Sequence, residues 1–247
     1  MEIIDCFWEQ ANIGKKTIEL VFEADESYDS EKVKQIVAEY EYSVAKVHCG
    51  NISCLLGLQA DGFILIETQI GLSKKIADFR FDDKMVRFVD KRINYHTIRT
   101  EKEMHSVLDS ITENMFSTDR IYLDPSLGPK LSLRRYHNWI ESEFRKGAIL
   151  YESELKGERV GFGLFKLNDT TMNVLLGGIY EHYQNNGIGI LTACGPILFS
   201  KSHDLNPYQE ITFSPYYNFI ITWILQSVKC PTYLLSIWIK GSYLFTF

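Results

Sequence analysis

The stretch Tyr183-Gln184-Asn185-Asn186-Gly187-Ile188-Gly189 has the residue types and spacing to hold an anion. The apolar run Met172 to Ile179 precedes it, and a helix-compatible apolar run, Ile190 to Phe199, follows it. A strand, a glycine-bearing turn and a helix start therefore stand in the order a phosphate site needs. Glycine lets the backbone approach an anion closely, and the unpaired N–H groups and positive dipole end of the following helix then bind it. An ordinary strand-to-helix turn is the competing reading. Just ahead of this loop, Gly177-Gly178 suits a β-bulge or a close backbone approach; a strand weakened for no chemical reason is the alternative. Glu181 and His182 lie just past the strand end, where either can exchange a proton or simply be a solvated loop residue.

The elements that must position these groups follow from periodicity and turn chemistry. In the first hundred residues the pattern predicts a helix from about Asp29 to Tyr40, a strand over Ser43 to His48, a helix opened by Asn51 and closed by Gly62, and a strand over Phe63 to Gln69. A second series predicts a strand over Tyr95 to Arg99, a helix from Glu101 to about Met115, a loop from Thr118 to Pro125, and a helix over Ser132 to Lys146. A hairpin then turns at Lys156-Gly157-Glu158, and a strand over Thr171 to Tyr180 leads into the glycine loop. After it come a strand at Glu210 to Phe213, a helix after Asn218 and a last strand near Tyr233 to Ile239.

Composition narrows the classes. The chain has 247 residues, 45% hydrophobic and 23% charged, as in an ordinary globular protein. A net charge of −6 argues against nucleic acid, because no basic face is available to release counterions. The five cysteines form no Cys-x-x-Cys pair, so neither a zinc site nor a redox pair is suggested, and no metal is expected. Free thiols and an acidic start without an apolar leader point to the cytoplasm. The apolar stretch Phe219 to Ile239 is interrupted by Gln226, Ser227, Lys229 and Pro231, which reads as a buried helix and strand, not a membrane span. All six prolines lie between Pro125 and Pro231, and charge is denser early on, which hints at two units, 1–94 and 95–247.

The loop pattern Gln-x-x-Gly-x-Gly at Gln184 to Gly189 resembles the pyrophosphate loop of the acetyl-CoA-dependent GNAT N-acetyltransferases. Over about Tyr95 to Lys240 the order of elements resembles theirs as well. The resemblance implies an α+β fold, with a mixed, mostly antiparallel sheet flanked by helices. Val44 to Gln69 reads strand, Asn51, helix, Gly62-Phe63, strand, which looks like the last third of such a domain and implies a partial GNAT-like amino-terminal copy; a generic strand–helix–strand is the other reading. A narrower similarity is to the dTDP-fucosamine acetyltransferases, carried by Asp119-Arg120-Ile121-x-x-Asp124-Pro125 ahead of a Tyr136/Trp139 helix.

The resemblance implies a reaction: an acetyl group passes from acetyl-CoA to a primary amine by direct attack. Gln184, Asn185, Asn186, Gly187, Ile188 and Gly189 would hold the pyrophosphate, and Gly178 and Ile179 would flank the pantetheine arm and thioester. Glu181 would take the amine's proton through water. Many such enzymes protonate the leaving thiolate with a Tyr about seven positions after the Asn that opens the last helix. Here Asn218, carried over as a cofactor contact, is followed by Ile224 and Leu225 at those positions, so this sequence departs from the pattern there. Tyr216 and Tyr217, just before that helix, could reach the sulfur or be packing aromatics; Tyr217 is the candidate acid. Arg120, Arg134 and Arg135 match phosphate oxygens, and Tyr122, Tyr136 and Trp139 could stack on a sugar or base, although arginines are more often solvated and aromatics more often core. Arg120, Arg135 and Tyr136 are the candidate acceptor residues. The expected partners are acetyl-CoA and a small-molecule amine, with a nucleotide-linked amino sugar as one form of it and a homodimer allowed for. The rivals are acetylation of a protein or antibiotic amine, and a CoA-binding protein without turnover. A doubly wound nucleotide binder fits poorly, because an antiparallel meander precedes the loop.

Overall fold

The computed structural model describes residues 1–70, 72–75, 93–117, 119–168, 171–189, 191, 195–198, 210–213 and 241–246. They form two compact units. The first gathers the described residues of 1–70, 116–139 and 239–247, the second those of 71–115 and 140–238.

The first unit is built on a five-stranded sheet. Its elements in chain order are β1 (Glu2–Asp5), α1 (Glu9–Asn12), β2 (Thr17–Phe22), α2 (Ser30–Val37), β3 (Tyr42–His48), α3 (Ile52–Ala60) and β4 (Ile64–Ile70). Helix α2 starts where Asp29 accepts from the Lys32 N–H, so Asp29 is its cap and not its first residue. Asn51 caps α3 by accepting from the Cys54 N–H at 3.1 Å, and its amide donates to the carbonyls of Glu23 and Glu26, both at 2.8 Å. Gly62 stops the helix with φ +96°, the left-handed geometry that glycine tolerates. Strands β2 and β3 are parallel, and their buried runs reflect cover on both faces. Ile18, Leu20, Phe22, Ala45 and Val47 pack with α2 and α3 residues Val33, Val37, Cys54 and Leu58. Tyr42 and Val44 pack with Ile13 and Ile121.

The second unit holds a six-stranded sheet in the order β5-β10-β9-β8-β7-β6. It comprises β5 (Leu72–Lys75), β6 (Ile93–Thr97), α4 (Glu101–Asp109), part of the long helix α6, β7 (Ile149–Leu155), β8 (Glu158–Leu167), β9 (Thr171–Ile179) and β10 (Glu210–Phe213). The chain passes through the first unit at α5 (Arg120–Leu123) and the start of α6 (Pro129–Arg145). Thr100 and Glu103 form a reciprocal capping box on α4. The β7–β8 hairpin turns at Lys156 and Gly157, with φ +56° and +86°, the pair of left-handed residues a tight hairpin demands. The sheet is covered on both faces: Met115 lies against Phe162 and Gly178 on one, and Gly195 against Tyr151 on the other.

Several sequence expectations shift. The helix expected to reach Met115 ends at Asp109, where Ser110 donates its backbone N–H to Val107 and Leu108 and its hydroxyl to the Ser106 carbonyl. A 3-10 turn over Glu113–Phe116 follows. The expected loop contains α5, capped by Asp119. Helix α6 begins at Pro129, three residues early, because proline suits a first helical position. Strands β1, β2, β5 and β11 (Gly241–Thr246) were not expected; β11 inserts between β3 and β4, antiparallel to both. The helix expected after Asn218 and the strand near Tyr233 to Ile239 lie outside the described residues. No helix among the described residues is long and apolar enough to cross a membrane.

Candidate functional site

Strand β9 is the element on which the site is built. On one side it pairs antiparallel with β8, from Leu167↔Met172 to Gly161↔Ile179. The register shifts between Leu164↔Leu176 and Phe165↔Val174, which leaves Leu175 as the extra residue of a β-bulge. On the other side β9 pairs parallel with β10 only over Thr171 to Val174. Among the described residues, nothing pairs with that edge of β9 beyond Val174. The Tyr180 N–H donates to the Val160 carbonyl at 2.9 Å. Antiparallel alternation then turns the Gly178 peptide groups toward β8, and those of Gly177 and Ile179 away from it.

The glycine loop begins directly after β9. Gln184 donates its side-chain amide to the Ile179 carbonyl at 3.2 Å, tying loop to strand end. A 3-10 turn over Glu181–Tyr183 carries the chain round, with the Tyr183 N–H on the Tyr180 carbonyl at 2.8 Å. Asn185 and Gly187 then adopt φ +62° and +71°. Asparagine is among the few side chains that enter this region readily. Among the described residues, a methyl group at Gly187 would have nothing within 4 Å. Among the described residues, no hydrogen bond takes up the backbone N–H groups of Asn185, Asn186, Gly187 or Ile188. Those groups can donate to an anion.

Comparison with known proteins bears on what this arrangement is. No family model and no curated protein matches the sequence. Among solved structures, the chain is similar to a conserved protein of unknown function from Staphylococcus epidermidis, with TM-score 0.56, 10% identity, and 96% of this chain and 87% of that one covered. It is also similar to a GCN5-related N-acetyltransferase from Kribbella flavida, with TM-score 0.51, 10% identity, and 93% and 80% covered. The fold is that of the GNAT acetyltransferases. At such identities the likeness concerns the fold alone.

Within the GNAT fold, the expected site residues have definite surroundings. Gly178 is crowded on its sheet face, where a methyl group would stand 3.1 Å from Met115 Cε and 3.3 Å from Phe162 Cε1. Glu181 is exposed, and accepts from Thr112 Oγ1 at 2.6 Å and Asn114 Nδ2 at 2.9 Å. These two bonds hold its carboxyl below the ordinary carboxylate range. Tyr217 and Asn218 lie outside the described residues. Arg120, Arg135 and Tyr136 belong to the first unit, whereas the loop belongs to the second. Arg120 Nη2 and Arg135 Nε both donate to Glu9 Oε1 at 3.0 Å. Burial opposes the charge on Glu9, but the Arg135 and Arg120 guanidinium groups outweigh it and lower its pKa. Tyr136 is buried and stacks on Phe116 at 3.8 Å between ring centroids.

Sequence reasoning missed one buried polar cluster next to the loop. Tyr180 Oη donates to Glu152 Oε1 at 2.7 Å, and Arg159 Nη1 lies 2.8 Å from Glu152 Oε2. Burial, then the Glu152 hydrogen bond and its charge, push the Tyr180 phenol well up. A charge inside the apolar strand Ile149-Leu150-Tyr151-Glu152-Ser153 was the available signal, since a buried carboxylate requires partners. Thr112 and Asn114 carry no such mark in the sequence. No cluster able to hold a metal ion occurs among the described residues.

Proposed function

We propose that the second unit binds acetyl-CoA and transfers its acetyl group to a primary amine by direct attack. One observation carries the reading: β9 runs straight into a loop in which, among the described residues, the backbone N–H groups of Asn185 to Ile188 donate no hydrogen bond. The residues present fit the cofactor. The N–H groups of Asn185 to Ile188 are donors for a pyrophosphate, with Gln184 and Gly189 shaping the ends of the loop. The Ile179 N–H, turned away from β8, would donate to a developing oxyanion. Acetyl-CoA supplies the acyl group as an activated thioester.

Glu181 lies two residues past β9 as an ionised carboxylate. In our reading it takes the amine's proton through a water molecule, with Thr112 and Asn114 keeping it charged. Asn218 as a cofactor contact and Tyr217 as the acid for the thiolate complete the assignment. The narrower acceptor, an amino sugar carried on a nucleotide, rests on the sequence similarity alone, since Arg120 and Arg135 are engaged with Glu9 and Tyr136 is buried.

Thermal unfolding with acetyl-CoA, against ATP and NAD, tests the cofactor. Near a hundredfold excess over Kd, binding adds about 2.7 kcal/mol, a rise of roughly 5–10 °C for a chain of this size. An equal rise with NAD, or none with acetyl-CoA, sinks the reading. Release of free thiol across a panel of amino sugars, polyamines and peptides then identifies the acceptor. Binding with no thiol released from any amine would mean a CoA-binding protein without turnover.

A further inference from the structure

Two glycines in the second unit face one tyrosine. Tyr151 on β7 is 1% exposed and pairs in register with Gly163 on β8. A methyl group at Gly163 would stand 2.6 Å from Tyr151 Cε1, and closer still to its hydroxyl. Across the ring lies Gly195, in the helical segment 195–198 that follows the loop. A methyl group there would stand 2.5 Å from both Tyr151 Cε2 and Cζ. The ring thus fills the whole space between the sheet and that segment, and it fits only because both walls are glycine. Tyr95 meets it edge-on at 5.6 Å, and Phe165 lies 6.0 Å away, so the ring has nowhere to yield. Tyr95 also donates a long hydrogen bond, 3.4 Å, to the Leu191 carbonyl. The Leu191 N–H in turn donates to the Ile188 carbonyl, in the loop itself, at 2.9 Å.

We infer that Tyr151 is a positioning residue for the phosphate loop, with Gly163 and Gly195 as the gaps that admit it. The chain leaving the loop is tied to the sheet at Leu191 through Tyr95 and at Gly195 through Tyr151. The separation between that segment and the sheet is therefore set by the thickness of one aromatic ring. A side chain at Gly195 must displace the Tyr151 ring, and the Tyr95 ring that meets it edge-on passes the shift through the Leu191 carbonyl to the peptide groups around Ile188. This inference rests on the proposed acetyl-CoA site.

The test is a titration of the full chain with acetyl-CoA by calorimetry, in wild type, Gly195→Ala, Tyr151→Phe, Tyr151→Leu and the double variant Y151L/G195A. Gly195→Ala should weaken binding about tenfold, the loss of one charge-assisted hydrogen bond. Tyr151→Phe keeps the ring and should bind within about twofold of wild type. Y151L/G195A should recover most of the lost affinity, because the smaller side chain makes room for the added methyl group. A general loss of stability would not produce that recovery. Wild-type affinity in G195A, or no recovery in the double variant, overturns the inference. If G195A fails to fold, Tyr151→Leu against Tyr151→Phe decides, and equal affinity for the two overturns it. A wild-type chain that does not bind acetyl-CoA at all overturns the proposed function, and the inference with it.

Discussion

Replacing Tyr180 by Phe removes one hydroxyl from a buried carboxylate and leaves the ring in place. The bond lost is Tyr180 Oη to Glu152 Oε1, 2.7 Å long, between side chains of residues 7% and 2% exposed. The ring keeps its stacking on Phe162, 6.2 Å between centroids. Glu152 keeps Arg159, but that side chain is 52% exposed, so solvent screens the pair and its contribution is small. A hydrogen bond to a charged group contributes about 1.5–3 kcal/mol, and we expect Y180F to lose about 2 kcal/mol of stability. Urea unfolding followed by circular dichroism measures this, with the denaturant slope unchanged if the denatured state is unaffected. Glu152→Ala and the double variant complete a cycle, whose coupling energy should also be about 2 kcal/mol. A coupling below about 0.5 kcal/mol would refute the argument, because that is the scatter seen for independent sites. The pH dependence has a definite sign. The Tyr180 phenol is raised in the folded state, so its contribution is fully present below the unfolded value of about 10 and is lost as pH rises through the folded one. The difference between wild type and Y180F should stay level from neutrality to about pH 10 and shrink above it.

Other expectations are independent of that cycle. Gly187→Ala forces a side chain into φ +71° and should cost about 1 kcal/mol in unfolding experiments without ligand, whereas Asn185→Gly should be close to neutral. Asn51→Ala removes a helix cap and two amide bonds to Glu23 and Glu26, and should cost about 2 kcal/mol by urea titration. Because Thr112 and Asn114 keep Glu181 ionised, kcat/KM should show no acidic limb between about pH 5 and 7; a limb there that E181Q abolishes would contradict this. Burial pushes the Cys6 thiol up to about 11 and the Cys54 thiol up to about 12. At pH about 8 both should resist alkylation while half-buried Cys49 reacts, and equal rates by peptide mass spectrometry would refute their burial.

The parts of this protein that could be read from the sequence are those whose partners lie a few residues away. Asn51 and Gly62 bracket α3 because a cap and a left-handed stop act within one turn. The Lys156-Gly157 hairpin turn was legible for the same reason. So was the order of elements from β6 to β10. Early termination of α4 was not, because the hydrophobic spacing runs on: Ile111 is buried although it lies outside the helix. Strand β2 carried a period-two pattern that went unread. Strands β5 and β11 are short, and their place depends on partners far away in the chain, Glu210 to Phe213 for one and β3 with β4 for the other.

The candidate site divides in the same way. By itself, the sequence determined that a strand, a glycine-bearing turn and a helix-compatible run follow one another, since each is a matter of local residue preference. Only the tertiary structure decided that β9 carries a bulge at Leu175, that β10 pairs parallel with it over Thr171 to Val174, and that Gln184 returns to the Ile179 carbonyl. It also decided which charged groups are engaged: Glu9 with Arg120 and Arg135, 111 and 126 residues away, and Glu152 with Tyr180, 28 residues away. No local rule pairs such residues, because their contact exists only once the sheets have closed and buried them, and burial is what makes a partner necessary.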